Sequence, residues 1–276
     1  MVTKITSFLA FALFCVFIAS NAVAVSINLQ STTSTKNSGF YDYILPLFTE
    51  NTGIKVYVVA VGTGQAIKNA RNCDSDVLLV HAKEDEENFV TQGYGVKRFN
   101  LMYNEFIIIG PASDPAQISG IKSISVALKK ISITKSLFTS RGDNSGTHKR
   151  EKLLWRSAGI HAANASGSWY REIGAGMGTT LNTSIGMGSY TLTDRATWVT
   201  FKNKYDFKIY IEGKRALFNQ YGVILVNPER CPNVKAQAGQ KFIDWLMSAK
   251  GQSVIGNFRK FDQQLFFPNA ERETGP

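Results

Sequence analysis

Apolar positions along this chain switch repeatedly between a period near two and a period near 3.6. The stretch "SINLQS" from Ser26 alternates, and "SGFYDYILPLFTENTG" then sets Phe40, Ile44, Leu47 and Phe48 at helical spacing, with Gly53 as the stop. A β-branched run, "IKVYVVAV", comes next, then the helical "GTGQAIKNARN" and the apolar "DVLLVH". Strand, helix, strand, helix, strand in that order predicts a parallel sheet covered by helices. "AKEDEENFVTQG" predicts a third helix, and "MYNEFIIIGP" predicts a further apolar strand that Pro111 ends.

A second unit starts after Pro111. "DPAQISGIKS" has loop composition, "SISVALKKI" predicts a short helix, "SLFTS" a strand and "SGTHKREKLLWRSAG" a helix closed by Gly159. "RATWVTFKNK" predicts a helix, "YGVILVNP" a strand, and "VKAQAGQKFIDWLMSAKGQSVIGNF" a long amphipathic helical region packing through Phe242, Trp245, Leu246 and Ile255. Two extended segments, near Phe106–Gly110 and Gly222–Val226, flank the middle unit. The chain is therefore expected to leave one α/β lobe and later return to it: residues 25–110 and 222–276 form the first lobe, residues 111–221 the second, with a cleft between them.

The N-terminus changes where this protein is expected to work. Lys4 precedes the apolar run "FLAFALFCVFIA", and Ala22-Val23-Ala24 supplies a small-residue cleavage signature, so residues 1–24 read as a signal peptide. The run is shorter than the roughly 20 residues of a spanning helix, and Phe14 before Cys15 argues against a lipid anchor. A periplasmic or extracytoplasmic protein is expected. Cys73 and Cys231 are then the two cysteines left, able to pair in an oxidising compartment but too few for a metal cluster. The formal net charge of +10 admits nucleic acid, an anionic surface or small anions as partners. Export argues against nucleic acid, and the dense runs "KSISVALKKISITK" and "HKREK" read as solvated helix faces. Nothing reads as a coiled coil, and a monomer is expected.

Candidate chemistry concentrates where strands hand over to helices. "STTST" (Ser31 to Thr35), "VGTGQA" around Thr63, "SRGDNSGTH" and "GMGTTLN" are all rich in Gly, Ser and Thr. Such residues are also ordinary helix caps, so each junction alone has a structural explanation. In a parallel sheet these junctions gather at the carboxyl edge of the strands, where ligands bind and where helix N-termini suit an anion. Hydroxyls are neutral donors that can surround an oxyanion without a metal. Arg141 would add the single charge, with a fork matched to two oxygens, unless it merely pairs with Asp143. His148 could give a second positive donor or be structural.

Catalytic patterns fit less well. Ser132-Ile-Thr-Lys135 matches S-x-x-K without its companion motifs, and Asp143, Ser145 and His148 crowd into six positions with no G-x-S-x-G elbow. "GTG" lacks the third glycine of a dinucleotide fingerprint, and three histidines with two cysteines show no zinc spacing. "RGD" in a secreted chain occurs easily by chance.

Taken together, "STTSTKNSGFYDYILPLFTENTGIKVYVVAVGTGQAIKNA", "DVLLVHAKEDEENFVTQGYGVKRFNLMYNEFIIIGPASDPA", "FTSRGDNSGTHKREKLLW", "GMGTTLN" and "YTLTDRATW" resemble the periplasmic tungstate-binding proteins of ABC importers, the Tup family. The resemblance implies a two-lobed type II periplasmic-binding-protein (Venus flytrap) fold with two crossover strands. It also implies capture of a tetrahedral oxyanion for a membrane permease, with no cofactor beyond tungstate as ligand and no catalysis. Its hydroxyl motif maps to Thr32, Thr33 and Ser34, and its arginine motif to Ser140, Arg141, Gly142 and Asp143; Ser31 stands where the family usually has a first threonine. Residue chemistry adds Thr63, Ser145, Thr147, His148 and Thr180 as donors. Molybdate, sulfate or phosphate remain alternative ligands, and a secreted hydrolase of anionic substrates a remote alternative function.

Overall fold

The computed structural model describes residues 25–270, so the segment read as a signal peptide lies outside the described residues. The chain begins β1 (Ser26–Thr32), α1 (Thr33–Asn37), α2 (Phe40–Thr52), β2 (Lys55–Val61), α3 (Thr63–Arg71), β3 (Val77–Val80), α4 (Lys83–Thr91) and β4 (Gly95–Gly110). It continues α5 (Ile124–Ile133), β5 (Phe138–Ser140), α6 (Gly146–Ser157), β6 (Tyr170–Glu172), α7 (Met177–Met187), β7 (Tyr190–Asp194), α8 (Arg195–Thr200) and β8 (Lys208–Ile211). Then come β9 (Phe218–Val226), α9 (Ala236–Met247), α10 (Ala249–Asn257) and three two-residue strands ending at Phe267–Pro268.

The strands run in the order β2-β1-β3-β9-β4-β7-β5-β6. The parallel set is β1 with β2 and β3 on one side and β5 with β6 and β7 on the other, while β9 is antiparallel to both β3 and β4. β4 is the bridge. Its residues from Gly95 to Glu105 pair with β9, and those from Phe106 onward pair with β7 and β8. The apolar run Phe106–Ile109 is covered on both faces, which is why its sequence does not alternate. Phe106 and Ile108 enter one core with α5 and α6, and Ile107 and Ile109 enter another with Met177, Leu181 and Trp198. The other half of the molecule is built on Phe40, Phe48, Leu79, Phe242 and Leu246.

Three expectations from the sequence are corrected. The helix expected over "RATWVTFKNK" stops at Thr200, because Phe201 turns to an extended conformation (ψ 131°). The long region from Val234 divides into α9 and α10 at Ser248, whose Oγ accepts from Gly251 N–H at 3.1 Å and caps the second helix. Gly251 is required at that corner, since a Cβ there would lie 2.0 Å from the Trp245 carbonyl oxygen. "HKREK" is solvated only in part: Lys152 is exposed and Lys149 and Arg150 half-buried, but His148 and Glu151 are buried. Cys73 and Cys231, left open above, form a disulfide with Cα atoms 5.2 Å apart.

Candidate functional site

The Gly-, Ser- and Thr-rich junctions follow the carboxyl ends of β1, β2, β5 and β6, with His81 after β3 and Asp194 at the end of β7. From the β1 side, Thr32 Oγ1 lies 2.7 Å from Thr35 Oγ1 and 3.2 Å from Ser34 Oγ, so this turn's hydroxyls bond mainly to one another. Thr33 is half-buried at the first position of α1. Ser31 points elsewhere, donating to Leu79 O at 2.8 Å and meeting the Tyr41 hydroxyl at 2.5 Å, so it belongs to the packing beneath the site.

The β5 side is organised differently. Gly142 (φ 61°) and Asn144 (φ 59°) take left-handed conformations that curl the chain between strand and helix. Gly142 is needed there, because a Cβ would come 2.9 Å from Glu172 Cβ. The curl lets Asp143 hold both ends of the turn, Oδ2 accepting from Arg141 Nη2 at 2.5 Å and Oδ1 from Ser145 N–H at 3.1 Å. Arg141 is buried, and its Nε has no hydrogen-bond partner among the described residues. Thr147 Oγ1 and His148 Nε2 are buried and unpartnered in the same way. His148 Nδ1 accepts from Asn144 N–H at 3.0 Å, which assigns the remaining proton of the neutral ring to Nε2. Burial, reinforced by the Lys152 charge, lowers the His148 pKa. Without an anion beside it, His148 is therefore a neutral donor rather than the second cation considered above. Ser145 Oγ accepts from His148 N–H at 3.3 Å and caps α6.

The two sides touch. Gly146 N–H donates to Thr63 Oγ1 at 3.3 Å, which brings Thr63 together with Ser145, Thr147 and His148. Gly146 also lies flat on His81: a Cβ would fall 2.8 Å from His81 Cε1. Thr180 does not join as a donor, since its buried hydroxyl donates to Gly176 O at 3.1 Å inside α7.

Several residues of this region carry no sequence signal. His81, at the end of β3, is buried with an unpartnered Nδ1, and burial together with the Arg141 charge lowers its pKa to about 4, so the ring is neutral. Tyr221 lies against it at 4.8 Å between ring centroids and shares contacts with Thr35 and Asn104. Asn219 donates to Asn104 Oδ1 at 2.7 Å where β4 and β9 are in register. Asp194 is buried near Arg141, and its two oxygens accept from Thr197 N–H (2.8 Å) and Thr197 Oγ1 (2.6 Å), capping α8; burial raises its pKa. In chemical terms the region combines one permanent cation, partly neutralised by Asp143, with hydroxyls and neutral imidazoles. No group of three or more His, Cys, Asp or Glu fit to hold a metal ion occurs among the described residues.

Residues 19–250 match the PBP superfamily domain. The chain is 47% identical over 251 residues to the tungstate-binding protein TupA of Peptoclostridium acidaminophilum, covering 90% of this chain and 87% of that protein. Among solved structures it matches the tungstate-binding protein TupA from Desulfovibrio alaskensis G20 with TM-score 0.78 and 45% identity, over 90% of this chain and all (100%) of that one. It matches the tungstate ABC transporter structure from Geobacter sulfurreducens equally well, with TM-score 0.78 and 43% identity over 84% and 98% of the two chains. These relatives are binding proteins, and their shared two-lobed α/β architecture is the one the resemblance implied. The chain belongs to the PBP superfamily and, within it, to the family of TupA tungstate-binding proteins.

Proposed function

We propose that this protein is the extracytoplasmic solute-binding component of an ABC importer, holding tungstate between two lobes and presenting it to a membrane permease. The observation that carries this reading is that Arg141 Nε, Thr147 Oγ1 and His148 Nε2, within eight residues at the β5–α6 turn, are all buried without a partner among the described residues. Burying polar atoms without hydrogen bonds costs free energy, and a tetrahedral dianion accepting from all three would recover it. Arg141 supplies charge without protonation, and the surrounding hydroxyls and neutral imidazoles add donors that suit an oxyanion. Thr33 and Thr63 would close from the first lobe. Thr32, Ser34 and Thr180, whose hydroxyls are engaged locally, would shape the cleft rather than bind.

The reading keeps residues 25–110 and 222–276 as the first lobe and 111–221 as the second, flanked by the segments Phe106–Gly110 and Gly222–Val226; β4 exchanges β9 for β7 between Glu105 and Phe106. A ligand held from both lobes favours the closed form by its differential affinity. The reading includes no catalytic step and no resident cofactor, and the mature chain acts as a monomer outside the cytoplasm. The test is calorimetry with tungstate, molybdate, sulfate and phosphate on the protein lacking residues 1–24. Tungstate should bind most tightly, one per chain. Tighter binding of sulfate or phosphate would reassign the ligand, and no oxyanion binding would refute the reading.

A further inference from the structure

Charge is divided unevenly along this chain. Residues 111–221 carry 16 Lys and Arg against 7 Asp and Glu, whereas the rest of the described chain carries 13 against 12. The imbalance is steepest over residues 115–157, where nine Lys and Arg are accompanied by only two acids, Asp143 and Glu151. Neither acid is available to the outer surface: Asp143 is bonded to Arg141, and Glu151 is buried.

Arg141 is buried in the candidate site, and Lys149 and Arg150 face Asp85 and Phe218, but the others lie on or beside α5 and the outer side of α6. α5 and α6 pack against each other and bury Ile124, Leu128 and Ile131 with Leu154 and Trp155 in one core, which turns their opposite faces outward together. On α5 the outward positions are Val126, Lys129 and Ile133, spaced i, i+3 and i+7, with Ile133 79% exposed, and exposed Lys122 lies just before the helix. α6 contributes exposed Lys152 and Arg156. On α5 the apolar Val126 and Ile133 flank Lys129.

We propose that the α5–α6 face seats the protein on a bilayer of anionic phospholipid. Lys and Arg would pair with lipid phosphates while their stems, with Ile133 and Val126, enter the headgroup layer. The charge of the face complements such a surface, and the interspersed apolar residues give it a chemistry that a purely ionic partner would not use. The inference goes beyond oxyanion capture and does not depend on which oxyanion fills the cleft. Seating the binding protein on the membrane would raise its concentration near a permease.

The experiment is co-sedimentation of the mature protein with vesicles of phosphatidylcholine alone or mixed with phosphatidylglycerol, at low and high salt. Binding should require phosphatidylglycerol and weaken with salt as surface charges are screened. Lys122→Glu/Lys129→Glu/Arg156→Glu should lose at least about tenfold in vesicle affinity. Lys55→Glu/Lys241→Glu/Lys250→Glu, the same change in net charge on the other lobe, should lose far less, and Ile133→Ser should lose a few-fold. Both triple variants should keep their tungstate affinity, which verifies folding and separates failure here from failure of the cleft reading. Equal losses in the two triple variants would mean that net charge alone acts, and would overturn the proposal. So would absence of binding to anionic vesicles, or binding only to vesicles that also carry the permease.

Discussion

The β1–α1 turn and the β5–α6 turn are built from the same small hydroxylic residues at the same kind of junction, yet they use them in opposite ways. In the first, Thr32, Ser34 and Thr35 engage one another, leaving a neutral and internally satisfied rim. In the second, Asp143 absorbs the demands of the turn itself, and Arg141, Thr147 and His148 each keep a buried polar atom unpartnered. The difference teaches that hydroxyl content alone does not mark binding capacity. What matters is whether the local fold has already consumed the donors, and at β5–α6 a carboxylate and two left-handed residues do so in place of the side chains facing inward.

That contrast breaks most directly at Arg141. A charge-assisted bond contributes roughly 1.5–3 kcal/mol, so Arg141→Ala should weaken tungstate binding by at least about tenfold in calorimetry. If it weakened binding no more than Thr33→Ala, the two turns would be equivalent and the asymmetry without consequence. Gly146→Ala addresses the contact between the two sides. The new methyl would stand 2.8 Å from His81 Cε1 and 3.2 Å from the His81 carbonyl oxygen. Overpacking on this scale costs on the order of 1–3 kcal/mol, and because it falls where the Thr63 and β5–α6 turns meet, affinity should drop by about tenfold. Combining it with His81→Ala should recover part of the loss, since the ring contact disappears and the carbonyl contact remains. Wild-type affinity for Gly146→Ala would show that this contact is not made in the bound state.

Much of this arrangement was legible in the residue pattern, and the failures have common physical causes. The strand–helix alternation and the crossover strands follow from periodicity, because cores covered on one face or both leave different apolar spacings. The candidate donors Thr63, Arg141 and Ser145–His148 sit at or just before helix starts, where local chemistry is readable. His81, Tyr221 and Asp194 were missed because each lies in or beside an apolar strand and meets Arg141 or Thr35 only through tertiary contact. The Thr180 hydroxyl bonds back to Gly176 O at the start of its own helix, a choice that residue type cannot reveal. Glu151 looked like a solvated residue among bases, but the Tyr170 hydroxyl donates to it at 2.6 Å beneath the site.

A finer comparison lies within the second half of the molecule. Thr147→Ala removes a donor with no other partner and should weaken tungstate binding by about two- to tenfold, the range of one neutral hydrogen bond. Thr180→Ala removes a hydroxyl already spent and should leave affinity within about twofold, whatever it does to stability. Equal losses would mean that the Thr180 hydroxyl turns toward the ligand.

The smallest effect on binding is expected from Glu151→Gln, where the change appears in pH dependence instead. Burial, opposed by the Tyr170 hydroxyl, pushes the Glu151 pKa up to about 7 from an ordinary 4.5. The folded state therefore keeps a proton that the unfolded chain has released, so this group's contribution to stability is full below about pH 4.5 and is lost as pH rises through 7. Glu86, where burial outweighs the neighbouring Arg98, acts in the same direction and is untouched by the substitution. Glutamine stays neutral and can still accept from Tyr170, so the fall in Tm between pH 4.5 and 7 should become shallower while tungstate affinity stays within about twofold. An unchanged slope would mean that Glu151 is ionised beneath Ser140 and Arg141. The charge balance of the β5–α6 turn would then include a second carboxylate, and the asymmetry between the two turns would be one of hydrogen bonding rather than of charge.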